Sequence, residues 1–189
     1  GTALVTGLIV YLVVLTLQPI RSFFDSDRDP TNKISFSGVT ETMSLVTSNP
    51  QLRDLSFGAF AFGGLQSIFA GFFILFLIDE LNYSETQAGS IFALSAFMAV
   101  IARIFWGYLA STVSTARTIL GGIGIFGAAA AILVSLFDGN WGYSFILMVA
   151  VLYNVTALSW HGILLAEVAR LAPSDRIGGV TGGVLSFTS

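Results

Sequence analysis

Five side chains with hydrogen-bonding or acid–base chemistry stand inside long apolar runs: Gln66, Arg103, Asn154, His161 and Glu167. Burying a charge or an amide in such surroundings is costly, so each is expected to face a cavity or a partner. His161 is the one side chain whose ordinary ionisation lies near neutrality, which leaves proton coupling through it open. Asn154 and His161 are two helical turns apart and share one face of a helix, while Tyr153, Trp160 and Glu167 form a second stripe about 100° away. This two-striped face is expected to line a cavity; the plainer alternative is that Asn154 and His161 bond neighbouring helices. Gln66 has Phe62, Phe69 and Phe73 on neighbouring turns, an amide-and-aromatic wall suited to an organic ligand, although those rings could equally face lipid.

Other chemistries are excluded. The 189 residues contain no cysteine and one histidine, which removes disulfides, thiol nucleophiles and Cys-ligated metals. No phosphate-binding glycine loop and no Ser/His/Asp constellation is present, and no cofactor is implied. Eight Lys+Arg against eleven Asp+Glu give a net charge of -3, without the basic stripe that tracks nucleic acid.

The elements that must position these residues follow from hydrophobicity. Apolar residues make up 54% of the chain and charged residues 10%, with mean hydropathy +0.84, against roughly 25% charged in soluble domains. The fold class is therefore an all-α integral membrane protein, a polytopic helical bundle whose first partner is the lipid bilayer. Runs near the roughly 20 residues needed to cross hydrocarbon occur at Thr2–Ile20, Leu55–Ile78, Ala88–Ala110, Ile119–Phe137 and Tyr143–Ala169, and a sixth opens near Ile177. The first is too long and lacks the basic start of a cleavable signal. The chain begins without Met and stops inside an apolar stretch, so it reads as a fragment of a longer protein.

The basic residues test this reading, because short cytoplasmic loops collect Lys and Arg. Arg21, Arg28, Lys33 and Arg53 fall after the first span, Arg117 between the third and fourth, and Arg170 and Arg176 beside the turn after the fifth; Arg103 lies in the last turns of the third span toward the same side. The connections 79–85 and 138–142 contain none. Loops 22–53, 111–117 and 171–176 are therefore expected in the cytoplasm of a multi-pass protein of the plasma or inner membrane. In the long first loop, Val39, Met43 and Val46 recur at helical spacing before Pro50, as in a short linker helix on the membrane surface. Glycines carry packing: Gly121, Gly124 and Gly127, and the Gly178–Gly182 pair, permit close helix approach, and Gly58, Gly63, Gly64 and Gly71 permit bending.

Two segments carry a family resemblance. Gly107-Tyr-Leu-Ala-Ser111-Thr-Val-Ser-Thr-Ala-Arg117 resembles the major facilitator superfamily loop motif G-x-x-x-D-R-x-G-R-R, with Gly107 and Arg117 kept and Ser111 in place of the Asp. Glu167-Val-Ala-Arg170-Leu-Ala-Pro173-Ser-Asp-Arg176-Ile-Gly178 is similar to the Glu, Pro, Arg, Gly pattern that closes the tenth helix of that family and opens the eleventh. The resemblance implies that residues 1–21 are helix six, 22–53 the central cytoplasmic loop, and 54–189 the second half (helices at about 55–78, 88–110, 117–137, 143–170 and 177–189), with the N-terminal half of the same chain as the missing partner. It implies a twelve-helix secondary carrier of a small organic solute, working by alternating access and driven by a gradient. It also implies a gate in which Glu167 meets Arg103, Arg117 and Arg176, the local alternative being a pair with Arg170. The rival readings are a membrane-embedded transferase, which needs larger catalytic loops, and a receptor or purely structural bundle.

Overall fold

The structure is a computed structural model and describes residues 2–20, 36–174 and 176–188. Arg21, Arg28 and Lys33, with the rest of residues 21–35, lie outside the described residues. The chain divides into two units, Gly1–Phe36 and Ser37–Ser189.

In the first unit α1 (Thr2–Leu17) is followed by a 3₁₀ turn, Gln18–Ile20, where Pro19 cannot continue an α-helix. The side chains of Leu4 to Leu17 are exposed and apolar on every side, as lipid requires.

The second unit is helical throughout its described residues: α2 (Phe36–Ser48), α3 (Pro50–Asp79), α4 (Glu85–Thr112), α5 (Ala116–Ser135), α6 (Tyr143–Ala157), α7 (His161–Leu171) and α8 (Ile177–Leu185), which runs into a 3₁₀ turn, Ser186–Thr188. Counting Tyr143–Leu171 as one span, four helices among the described residues are long and apolar enough to cross a membrane. Large apolar side chains such as Ile104, Ile125, Phe60 and Phe72 stand outward, which in a bilayer is no liability.

Helix starts differ from the apolar runs because caps set them. Asn49 accepts a hydrogen bond from the Gln51 amide with Pro50 at the first position, so α3 begins five residues before Leu55. Ser84 and Gln87 form a capping box that starts α4 at Glu85 rather than Ala88, and Thr115 caps α5. Asn82, at φ 57°, turns the chain between α3 and α4 in the left-handed region that Asn tolerates.

The expected helix over 143–170 is a correction: it breaks at Leu158–Trp160. No proline is involved. Thr156 and Ser159 hydroxyls take the carbonyls of Leu152 and Asn154, a competition that bends helices, and Gly162 weakens the next turn. The side chains of α4 satisfy the carbonyls so freed, as described below.

Two apolar clusters hold the bundle. One joins Val46, Leu52, Phe62, Ile123, Trp160, Leu164 and Val184 from α2, α3, α5, α7 and α8. The other joins Phe69, Leu77, Ile91, Ala130, Ile146 and Tyr153 from α3 to α6. The linker helix is more than a surface helix: Val46 is fully buried. A Cβ on Gly183 would meet Val46 Cγ2 at 3.2 Å, and one on Gly179 would meet Thr42 Oγ1 at 3.4 Å. The close approach expected of Gly178 and Gly182 thus belongs to their neighbours Gly179 and Gly183, since nothing lies within 4 Å of a Cβ at the first pair. A Cβ on Gly124 would stand 3.6 Å from Phe62 and one on Gly127 3.6 Å from Ala157, ordinary packing contact, whereas one on Gly121 would meet nothing within 4 Å.

Candidate functional site

At one end of the bundle the turns after α4 and α7 meet. Glu167, on the buried face of α7, is 5% exposed. Arg170, one turn later, donates to it through Nε at 2.8 Å and Nη2 at 2.6 Å, a forked charge-assisted pair. Arg117, in the first turn of α5, approaches the same carboxylate with Nε 3.6 Å from Oε1. The carboxylate is covered while both guanidinia reach outward, with 48% and 65% of the Arg117 and Arg170 side chains exposed. Gly107, Ser111, Arg117, Glu167 and Arg170 all line one cleft of about 620 Å³. The two stretches of sequence, about fifty residues apart, are thus brought to one place.

Two arginines expected in this cluster pair elsewhere. Arg176 Nη1 lies 2.6 Å from Glu41 of α2, because that turn faces the linker helix. Arg103 stands nine residues before the end of α4, about 14 Å along it, and its Nη2 donates to the Leu158 carbonyl at 3.1 Å. The break in the α6–α7 span offers it a free acceptor that a continuous helix would not.

That contact is one of several between α4 and residues 154–159. Trp106 Nε1 donates to the Val155 carbonyl at 2.6 Å, Ser159 Oγ to the Ala99 carbonyl at 3.2 Å, and Asn154 Nδ2 to Ser95 Oγ at 3.0 Å. Asn154 is completely buried against α4, which is the helix-bonding alternative, and its Oδ1 has no partner. Ser95, Trp106 and Ser159 were not singled out from the sequence. The signal for the contact was the run of small residues Ala88, Ser95, Ala99 and Ala102 along one face of α4, all buried.

The remaining candidates form two aromatic groups. Phe69 stacks on Phe73 and Tyr153, with ring centroids 4.1 and 4.4 Å apart. Tyr153 donates its hydroxyl to the Leu65 carbonyl at 2.8 Å, tying α6 to α3. These rings line an apolar pocket of about 390 Å³ between α3, α5 and α6. Separately, Trp160 stacks on His161 at 3.8 Å and on Phe62 at 5.6 Å. The buried Trp160 Nε1 and the covered Gln66 Oε1 have no hydrogen-bond partner. Asn154 and His161 lie on either side of the break, Asn154 in α6 and His161 at the start of α7. No group of three His, Cys, Asp or Glu residues that could hold a metal occurs among the described residues.

The opposite end is aromatic and carries no Lys or Arg: the Tyr83 and Tyr143 rings lie 6.3 Å apart, and Ser90 shares a hydrogen bond with Tyr143 at 3.1 Å. The basic turns and the turns without Lys or Arg are thus gathered at opposite ends of the bundle. Compared with known proteins, the chain matches no curated protein and no solved structure. The family model described as Major Facilitator Superfamily, however, matches residues 1–189. With spanning helices, a loop motif and a matched model over its whole length, the chain belongs to the Major Facilitator Superfamily, a family of membrane transporters.

Proposed function

We propose that the chain contributes to a secondary carrier that moves a small organic solute by alternating access, with residues 54–189 as the second half of its helical bundle. On this reading residues 1–21 are the last helix of the first half and 22–53 the cytoplasmic link. Repeat halves that rock about a central site are a general solution for gradient-driven transport. The observation that carries the proposal is the Glu167 carboxylate, covered at the mouth of a cleft and shared by arginines of two helices. Both helices belong to the second half, so the contact braces the mouth of that half, where a gate against the first half would close. Gln66, Phe62, Phe69, Tyr153, Trp160 and His161 supply the solute-site candidates, and His161 the candidate for proton coupling, while Asn154 bonds α4 instead. The proposed topology puts loops 111–117 and 171–176 in the cytoplasm.

The test is uptake into proteoliposomes carrying the full-length protein, using labelled carboxylates, sugars and drugs with and without a proton gradient. A gradient-dependent flux that falls with Gln66→Ala or His161→Ala supports both carrier and cavity. Flux that persists after every gradient is collapsed would leave a facilitator and remove the coupling.

A further inference from the structure

We propose that the break between α6 and α7 is a carboxylate subsite, in which Arg103 and the first turn of α7 hold the anionic group of an organic solute. The inference rests on the transporter reading and narrows its solute to an organic anion with an apolar body.

Three features at this one place share a sign. Arg103 lies within a spanning helix with its side chain exposed, gives one N–H to Leu158, and forms no ion pair with an acidic side chain among the described residues. A guanidinium at that depth needs a counter-charge, and its planar fork keeps further donors open for a two-oxygen group. Next to it α7 begins with no side chain capping its first turn. Gly162, at the second position, is exposed with nothing within 4 Å of where a Cβ would stand. A half-helix that starts inside a membrane presents amide donors and the positive end of its dipole to an anion. Trp160, the residue at the helix start, is 1% exposed, and its Nε1 has no acceptor while its ring lies 3.8 Å from that of His161. An indole N–H can only donate, so an acceptor oxygen completes it.

Nearby charges do not cancel the site. Glu167, farther along α7, is neutralised by Arg170 and Arg117. The Trp160 and Phe62 rings, 5.6 Å apart and both buried, pack apolar surface at the start of α7.

The test uses the full-length protein in detergent and in proteoliposomes, with benzoate and its neutral isostere benzamide as probes. The unmodified protein is expected to bind benzoate more tightly than benzamide by about tenfold or more. Arg103→Gln is expected to erase that ratio and Arg103→Lys to keep part of it, while Trp160→Phe, which removes the N–H together with one of the two fused rings, lowers benzoate affinity about threefold. Equal binding of the two probes, no binding of either, or an unchanged ratio in Arg103→Gln overturns the subsite. If Arg103→Gln melts early, the ratios in Arg103→Lys and Trp160→Phe decide alone. Flux separates the two readings. Neutral solutes moved equally well with and without Arg103→Gln would leave the transporter standing and remove the subsite, whereas benzoate bound with no solute moved would do the reverse.

Discussion

Glu167 is held by two arginines of unequal reach, and the difference separates stability from gating. Arg170 sits one turn away on the same helix and makes the shorter, forked contact, but its side chain is 65% exposed, so Arg170→Ala should lower stability only slightly. Arg117 is 3.6 Å away on another helix and should cost less than that when removed. Flux should rank them the other way, because only Arg117 ties two helices together across the mouth of the cleft. Thermal unfolding in detergent and proteoliposome flux, measured on both single variants, check this; Arg117→Ala with undiminished flux would sink the gate. Asn154 offers a second comparison. Its bond to Ser95 should give a coupling near 0.6 kcal/mol in a double-mutant cycle of Asn154→Ala and Ser95→Ala, and strict additivity would show that the 3.0 Å contact contributes nothing. Glu167, Arg117 and Arg170 were legible as one cluster because loop charge put them at one end. Arg103 was not, since its partner is a carbonyl exposed by a helix break that composition does not reveal.

At the scale of elements, the spans were legible from apolar length, but their ends were not, because Asn49, Ser84 and Thr115 cap helices outside the hydrophobic runs. The break at Leu158–Trp160 escaped notice for a related reason: Ser159 and Gly162 are weak signals alone, and α4 supplies the bonds that make the break stable. The linker helix was legible as a helix but not as a packed one. Its seat on α8 depends on Gly179 and Gly183 facing Thr42 and Val46, a choice of register within a glycine-rich stretch that spacing could not make. Gly183→Leu should therefore dislodge α2, whereas Gly182→Leu, with nothing within 4 Å of its Cβ position, should leave it seated. Hydrogen exchange across residues 36–48 of the full-length protein reads the difference. Equal protection in both variants would show that the contact does not hold α2 in place.

The whole bundle sorts its charges by end, and this predicts which way it lies in a membrane. The turns after α4 and α7 share the Arg117–Glu167 contact, and Arg176 draws in α2. The turns after α3 and α5 meet through Tyr83, Ser90 and Tyr143 and carry no Lys or Arg. Successive antiparallel helices carry the alternating loops to opposite ends, and retention of basic loops predicts that the Arg end faces the cytoplasm. The chain has no cysteine, which makes single-cysteine labelling direct. Val113→Cys and Ser174→Cys, both at exposed positions, should resist a membrane-impermeant maleimide in intact cells and react once the membrane is opened. Glu80→Cys and Asn140→Cys, also exposed, should react from outside. Labelling of positions 113 and 140 from the same side would mean that α5 does not cross. A full inversion of the pattern would leave the bundle intact but turn it over, placing the Glu167 cleft outside the cell and removing it as a cytoplasmic gate.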